Sequence, residues 1–223
     1  MTGSAGHEKI VVIDFGLGNL LSVAKAFEEV SGKGEVLVTG DPASLQKASH
    51  IVLPGVGNFK TGMENLRRRG LVQPLEEEIL GKGKPFLGIC LGMQLLAEVG
   101  EEFGKHHGLG FVPGRVRQLV SNGLPLPHIG WQDIEIVGKS YAFAAGIAER
   151  DFYFVHSFVL ECPEDYVTAY CTYGERFPAA IQNNNILATQ FHPEKSREAG
   201  LDILRSFLRG KECSKSEWFL SSF

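Results

Sequence analysis

The sequence predicts an α/β fold: a single domain with a central, mostly parallel sheet flanked by helices, and additional antiparallel strands in its second half. Apolar, β-branched runs such as 9–15 (KIVVIDF) alternate with segments of helical periodicity such as 19–30. Such alternation is typical of parallel sheets covered by helices on both faces. From 115 to 190 the pattern changes to short strands separated by turns at 121–123 and 183–185. This part predicts antiparallel pairing.

The continuous apolar runs of the first half are typical of strands buried on both faces. The predicted elements of the first hundred residues are strand 9–15, helix 19–30, strands 35–38 and 49–53, helices 62–69 and 72–80, strand 85–89 and helix 91–99. The predicted elements of the second half are strands 115–120, 129–137, 151–160, 166–173, 179–182 and 186–190, and a closing helix over 197–208. We expect one domain over 9–210, a flexible leader over 1–8 and a tail over 211–223.

Composition excludes several classes of protein. The 223 residues are 43% hydrophobic and 22% charged, and the net charge of −4 argues against a protein that coats nucleic acid. No apolar stretch approaches the roughly 20 residues needed to cross a bilayer. The four cysteines are too few for a disulfide scaffold and lack metal-ligand spacing. We therefore expect a cytoplasmic protein with no metal and no cofactor.

The strongest chemical signal is Cys90 in the segment KPFLGICLGMQLL. A predicted strand runs into Gly88-Ile89-Cys90-Leu91-Gly92 and then into a predicted helix, the pattern of a nucleophile elbow. The flanking glycines are needed because a Cβ at either position would clash in the tight turn. The start of the helix favours the thiolate over the thiol. A buried structural cysteine is the alternative.

A thiol nucleophile needs a base, and the base needs an orienting group. His192 ends a predicted strand in the segment QFHPEKS, and Glu194 follows two residues later. Pro193 favours an extended backbone, so the two side chains are expected to point the same way. A carboxylate there holds one imidazole nitrogen and leaves the other to face Cys90. The sequence thus predicts a Cys-His-Glu triad.

Acyl transfer also needs donors for the developing oxyanion. The segment PGVGN follows a buried strand, and its glycines allow backbone N–H groups to approach a ligand. We expect one donor at Val56 or Gly57 and a second at Leu91, directly after the nucleophile. The Gly16-Leu17-Gly18 loop lacks the third glycine of a dinucleotide-binding fingerprint, because position 21 is Leu.

Three separated segments together resemble the class I, triad-type glutamine amidotransferases: GICLGMQ, PGVG and QFHPEKS. The motifs Asn19-Leu20-x-Ser22-Val23, His128-Ile129-Gly130-Trp131 and Tyr153–Phe158 extend the resemblance over about residues 9 to 209. Within the family, the chain is most similar to the glutaminase subunits of imidazole glycerol phosphate synthases. Phe15 stands where tyrosine or another residue is common in relatives, a mild departure.

The resemblance implies hydrolysis of the glutamine side-chain amide through a γ-glutamyl thioester. Cys90 attacks, His192 transfers the proton and Glu194 holds His192 in the useful tautomer. The family pattern implies contacts with glutamine at a larger group of residues, namely Gly55, Gln94, Glu102, Ser157 and Phe158. For Glu102, a buried carboxylate suits the substrate ammonium group, and an exposed charge at a helix end is the alternative.

The resemblance also implies a partner, a (β/α)8-barrel cyclase subunit that receives ammonia internally. The pair forms imidazole glycerol phosphate and an aminoimidazole carboxamide ribonucleotide in histidine biosynthesis. Ammonia released into water at pH 7 would become ammonium and lose its nucleophilic lone pair. Similarity assigns Asn19, Trp131 and Lys195 to this interface, and Trp131 is equally compatible with a gate or with a core aromatic.

Three other functions remain open at this stage. The chain could be the glutaminase of another amidotransferase, such as pyridoxal phosphate synthase, with the same chemistry and a different partner. A γ-glutamyl hydrolase or Cys peptidase would act without any partner. A catalytically inactive subunit on the same fold is disfavoured by the complete set of Cys90, His192 and Glu194.

Overall fold

The computed structural model describes residues 8–137, 140–143 and 151–213, with the backbone alone over 211–213. The predicted leader falls outside these residues except for Glu8, and the predicted tail does so beyond residue 213. Within the described part of the chain, every helix is too short or too polar to cross a bilayer.

Nine strands form the main sheet, and their bounds define the labels used below. In spatial order they are β2 (Glu35–Thr39), β1 (Lys9–Ile13), β3 (His50–Gly55), β4 (Phe86–Cys90), β13 (Ile186–Thr189), β12 (Glu175–Asn183), β11 (Val167–Tyr173), β8 (His128–Ile136) and β9 (Asp151–His156). The first five strands are parallel. The other four continue the sheet in antiparallel pairs. The predicted fold class, a parallel sheet extended by antiparallel strands, is confirmed.

A second, smaller sheet packs beside the first. Its four strands, in spatial order, are β10 (Phe158–Glu161), β7 (Arg115–Gln118), β5 (Val99–Gly100) and β6 (His106–His107). The prediction of one strand over 151–160 is wrong, because the chain changes sheets at Ser157. The preceding segment pairs with β8, and the following segment pairs with β7. The sequence is apolar on both sides of Ser157, so the residue pattern alone did not reveal the break.

The helices cover both faces of the main sheet. They are α1 (Leu20–Ser31), α2 (Ala43–Lys47), α3 (Phe59–Arg68), α4 (Val72–Glu76, continued by a π turn over Glu77–Gly81), α5 (Leu91–Gln94) and α6 (Arg197–Cys213). The predicted helix over 91–99 is wrong in length. After Gln94 the chain makes short-range turns and enters β5. The apolar run that suggested a longer helix is buried on all sides, since Leu95, Leu96 and Ala97 are all fully buried. It therefore does not alternate between a buried and an exposed face, as a surface helix does.

Alternate residues of β1 enter two different cores. Ile10 and Val12 pack on the face covered by α1 and α6, where Phe27 and Phe207 meet edge to face with ring centroids 6.1 Å apart. Residues Val11 and Ile13 pack on the opposite face, which α3 and α4 cover. A strand buried on both faces must be apolar at every position, which explains the continuous runs in the sequence.

The carboxyl ends of three neighbouring parallel strands meet at one edge of the sheet. In the ladder between β3 and β4, Gly55 pairs with Cys90. In the ladder between β13 and β4, Thr189 pairs with Ile89, so the chain after β13 continues alongside Cys90. Loops at the carboxyl ends of parallel strands are where open α/β sheets build their sites.

Candidate active site

Cys90 lies at a strained turn between β4 and α5. Its φ angle is +53°, in the left-handed region that non-glycine residues rarely adopt. A Cβ on Gly88 would lie 2.8 Å from the carbonyl oxygen of Gly92, and a Cβ on Gly92 would overlap the carbonyl oxygen of Leu53. The glycine requirement expected from the sequence therefore has a direct steric cause. The strain is held at the residue proposed to be the nucleophile.

The Cys90 sulfur has two polar neighbours from other strands. The carbonyl oxygen of Val155 lies 3.8 Å from Sγ, and the side-chain amide nitrogen of Gln190 lies 3.6 Å from it. Cys90 is 5% exposed, so these neighbours rather than bulk water define the environment of the sulfur. The other described cysteines, Cys162 and Cys171, have pKa values that burial raises to about 12, so they remain thiols at neutral pH.

His192 and Glu194 pair across a short turn after β13. Nδ1 of His192 lies 2.8 Å from Oε1 of Glu194, and the two side chains are 3% and 1% exposed. The expected extended backbone at Pro193 is wrong, because Pro193–Lys195 forms a 3₁₀ turn. Proline suits the first position of a helical turn, where its missing N–H is not needed. The turn still brings the imidazole and the carboxylate together.

The second nitrogen of His192, Nε2, is buried and has no hydrogen-bond partner among the described residues. Burial lowers the pKa of this imidazole, but the Cys90 sulfur and the Glu194 carboxylate outweigh that effect and raise the pKa to about 10. The sulfur and the carboxylate thus both favour the protonated form of His192. An imidazolium beside a sulfur stabilises the thiolate form that acts as a nucleophile.

The predicted oxyanion segment begins in β3, which includes Pro54 and Gly55, and continues beyond it at the same edge of the sheet. Gly55 is so close to the elbow that an added Cβ would lie 3.0 Å from the Cβ of Leu91. Val56 is partly exposed, and Gly57 has a φ angle of +111° that favours glycine. The segment and Leu91 thus lie together at the end of β4.

The residues expected to contact glutamine have different environments. The Gln94 side-chain nitrogen donates to the carbonyl oxygen of Phe158 at 2.9 Å, so the fold joins two of them, and Ser157 precedes this carbonyl in the chain. Glu102 is half-buried in a turn, where it accepts the backbone N–H of Phe59 at 2.9 Å. Glu102 is thus neither a buried carboxylate nor an exposed helix-end charge, because its partly buried carboxylate binds an N–H at the start of α3.

Two of the three residues assigned to a partner interface contact the same ring. The Trp131 ring meets Tyr153 edge to face at 6.0 Å, and Lys195 Nζ lies 5.4 Å from the Tyr153 centroid. Trp131 is 38% exposed and lies under the guanidinium of Arg197, so it is not a core aromatic. Asn19 is exposed and caps α1 by accepting the N–H of Ser22.

Sequence reasoning missed a buried polar network behind the nucleophile. Gln190 is fully buried and joins the sulfur to the side chain of Gln94. His156 contacts the carbonyl oxygen of Phe158 at 3.0 Å, and His128 contacts His156 at 3.2 Å. In the sequence, Gln190 differs from its neighbours only as a polar residue at the end of a mostly apolar strand. Its partners lie too far away in sequence to be inferred.

The chain matches known proteins over nearly its whole length. Residues 11–210 match the family model described as glutamine amidotransferase class-I. The "Imidazole glycerol phosphate synthase subunit HisH 1" of Campylobacter jejuni (strain RM1221) is 46% identical over 202 residues, which cover 90% of this chain and 99% of the relative. The "Imidazole glycerol phosphate synthase subunit HisH" of Geobacter sulfurreducens is also 46% identical, over 89% of this chain and 97% of the relative.

Similarity to solved structures extends to the fold. The structure of PurLQS from Thermotoga maritima matches with a TM-score of 0.70 at 20% identity, over 92% of this chain and 100% of that chain. The match to the family model includes Cys90, His192 and Glu194. The chain belongs to the class-I glutamine amidotransferase family.

Proposed function

We propose that this chain is the glutaminase subunit of imidazole glycerol phosphate synthase, acting in histidine biosynthesis. It hydrolyses glutamine to glutamate and ammonia and delivers the ammonia to a cyclase subunit. The support is twofold. Relatives that carry this name are 46% identical over about nine-tenths of the chain. The chain also retains a buried imidazole–carboxylate pair beside an elbow cysteine, which a glutaminase requires.

The observation that carries the proposal is the meeting of Cys90, His192 and Glu194 at the carboxyl ends of neighbouring strands. In the first step, the Cys90 thiolate forms an Sγ–C bond to the side-chain amide carbon of glutamine, and the π electron pair moves to oxygen. As this intermediate collapses, the C–N bond breaks. The leaving nitrogen takes the proton from His192 and departs as ammonia, which leaves a γ-glutamyl thioester.

The second step regenerates the enzyme. Neutral His192 removes a proton from water while the oxygen adds to the thioester carbon. The C–Sγ bond then breaks, the sulfur leaves as thiolate and His192 keeps the proton. The new carboxyl group loses its proton to solvent as glutamate. Glu194 supports both steps because its charge stabilises the imidazolium and fixes Nδ1 as the protonated nitrogen facing it.

We assign oxyanion stabilisation to backbone N–H groups. Leu91 is one donor, and Val56 or Gly57 is the other. The left-handed φ of Gly57 makes a peptide flip sterically accessible there. A flip would supply or remove an N–H directed at the oxyanion, so the segment is a candidate switch. Removing one donor of this kind typically costs about a hundredfold in turnover.

The glutamine-binding residues are assigned to Gly55, Gln94, Glu102, Ser157 and Phe158. The hydrogen bond between Gln94 and Phe158 supports this group, because it joins two of its members across the site. Glu102 is partly exposed, so its carboxylate remains able to meet the ammonium group of a substrate while it caps α3.

The partner is assigned as a (β/α)8-barrel cyclase that forms a heterodimer with this chain. We assign Asn19, Trp131 and Lys195 to the interface. Their support is the exposure of Asn19 and Trp131 and the shared contact of Trp131 and Lys195 with Tyr153. We further infer a cytoplasmic enzyme whose amidotransferase domain spans 9–210 and which uses no cofactor.

Reconstitution tests the proposal. Glutamine hydrolysis by the purified chain is measured alone, with the cyclase of imidazole glycerol phosphate synthase, and with cyclase plus its nucleotide ligand. We expect weak activity alone and a large increase in the complete mixture. Equal stimulation by the synthase subunit of pyridoxal phosphate synthesis, or full turnover of γ-glutamyl peptides without a partner, would contradict the proposal in favour of the corresponding alternative.

A further inference from the structure

The carbonyl oxygen of Phe158 sets the direction of a hydrogen-bond chain that ends at the Cys90 sulfur. A carbonyl oxygen only accepts, so the Gln94 group that faces it at 2.9 Å is the amide nitrogen. The same nitrogen lies 3.0 Å from the side chain of Gln190, which must present its oxygen there. The amide nitrogen of Gln190 is then turned towards Sγ of Cys90, at 3.6 Å.

The chain has a second anchor at the same carbonyl. Nδ1 of His156 lies 3.0 Å from the oxygen of Phe158, so this nitrogen carries the proton. In the neutral ring, Nε2 then accepts a hydrogen bond from Nδ1 of His128, 3.2 Å away. Two donors therefore hold the carbonyl to which Gln94 is bound. The orientation of the Gln190 amide follows from this arrangement.

Burial makes the contact with the sulfur energetically significant. Gln190 is fully buried, and Gln94 is 5% exposed, so water does not compete for their N–H groups. A buried N–H without an acceptor is costly, and a neutral thiol is a poor acceptor. A thiolate is a much stronger acceptor because the hydrogen bond is charge-assisted. The amide of Gln190 therefore favours the charged form of Cys90.

We propose that Gln190 is a further catalytic residue, whose side-chain amide donates a hydrogen bond to Cys90 Sγ and stabilises the thiolate before it attacks. This role differs from that of the oxyanion donors, which act on the substrate oxygen. The inference rests on the proposed function, because it assumes that Cys90 is the nucleophile. Gln94 is the positioning residue that sets the direction of the Gln190 amide.

Other groups also influence the sulfur. His192, with Glu194 behind it, interacts with Cys90, and His156 lies close enough to His192 for their charges to interact. The effect of Gln190 on the sulfur must therefore be separated from that of His192. A test must compare variants in which all these groups are retained and only the donor at position 190 is removed.

The test is the pH dependence of Cys90 alkylation by iodoacetamide, in the full chain without glutamine or partner. Mass spectrometry of the peptide containing Cys90 separates its modification from that of the other cysteines. Gln190→Leu removes the donor, and Gln190→Met does so with a side chain of similar length. The control is Thr189→Val, at the position next to Gln190. It removes a buried hydroxyl that donates a hydrogen bond to the carbonyl oxygen of Phe191 at 2.9 Å.

We expect the midpoint of alkylation to rise by about one pH unit or more in both Gln190 variants, since a hydrogen bond to a charged group has at least that effect. The Thr189→Val midpoint should not change. Thermal melting identifies which variants are folded. If Gln190→Leu does not fold, the midpoint of Gln190→Met alone tests the proposal. A lower melting temperature with an unchanged midpoint would overturn the proposal, because it would reveal a purely structural role. Because no glutamine is used, failure here is distinguishable from failure of the proposed function.

Discussion

Oε1 of Glu194 lies 2.8 Å from Nδ1 of His192, and both side chains are almost completely shielded from water. Only Pro193 separates them in sequence, and the turn at Pro193–Lys195 is what aligns them. A carboxylate beside an imidazole in a buried site favours the protonated ring. In the proposed mechanism, this pair supplies the proton that the departing ammonia needs.

Replacing Glu194 with Gln should reduce turnover. An amide keeps the size of the side chain and can still accept from Nδ1, but it no longer stabilises the positive charge on His192. We expect kcat for glutamine hydrolysis in the reconstituted complex to fall by about a hundredfold or more, while KM changes little. Steady-state kinetics with the cyclase present measures both values. A kcat that is unaltered would remove Glu194 from the mechanism.

Gly92→Ala should disrupt the elbow. The new Cβ would overlap the carbonyl oxygen of Leu53 in β3, so the backbone at the nucleophile must shift. We expect a loss of about 1–3 kcal/mol of unfolding free energy, as for other overpacked sites, together with near-complete loss of activity. Gly81→Ala is the control, since nothing lies within 4 Å of its added Cβ. Chemical denaturation compares the two, and equal stability would refute the steric explanation.

The buried His128–His156 pair should make the protein sensitive to acid. Burial lowers the pKa of His128 to about 4, and burial together with the His128 charge lowers that of His156 to about 3, against an ordinary value of 6.5. Below pH 6.5 the unfolded chain therefore binds protons that the folded chain excludes. The stability from these groups is complete above pH 6.5 and is lost as the pH falls towards 4. His192, whose pKa is raised, contributes in the opposite direction at higher pH.

The acid sensitivity is tested with His128→Asn. Asparagine retains a donor near the position of Nδ1 but does not titrate. Melting temperatures between pH 7 and pH 5 should decrease less steeply in this variant than in the unaltered protein. Parallel curves for the two proteins would show that the histidine pair does not control acid stability.

Trp131→Ala should affect the complex rather than the isolated chain. The Trp131 ring is partly exposed, where substitutions typically change stability by about 0.5 kcal/mol or less, but large aromatic residues often dominate interfaces. We expect the Kd for the cyclase to rise by about tenfold or more. Leu124→Ala, which also truncates an exposed apolar side chain, is the control. Calorimetric titration that gives equal affinities for both variants would contradict the interface assignment.

Local features of the sequence were sufficient to predict the glycine-flanked turn at Cys90 and the pairing of His192 with Glu194. The glycines around Cys90 are dictated by sterics within one turn, and His192 and Glu194 are two residues apart. The alternation of apolar runs and helical periods likewise predicted the parallel half of the sheet. These features depend on few residues, all close in sequence, so pattern alone identifies them.

Features that depend on distant strand pairing were not predictable. Gln190 and Gln94 lie 96 residues apart, and only the ladder between β13 and β4 brings them together. The break at Ser157 between two sheets is flanked on both sides by apolar, strand-forming residues, so the local sequence does not mark it. Glu102 was expected to be buried or at a helix end, yet it caps a helix that begins 43 residues earlier. Tertiary contacts, rather than local preference, decide each of these cases.

The central claim, that Cys90 forms a covalent intermediate with glutamine, is tested most directly by trapping the acyl-enzyme. The chain is mixed with its cyclase partner, nucleotide ligand and glutamine, quenched in acid during turnover and digested for mass spectrometry. We predict an added γ-glutamyl group on the peptide containing Cys90, and its absence in Cys90→Ala together with loss of hydrolysis. Undiminished glutamine hydrolysis by Cys90→Ala, or a γ-glutamyl group on a different residue, would contradict the mechanism.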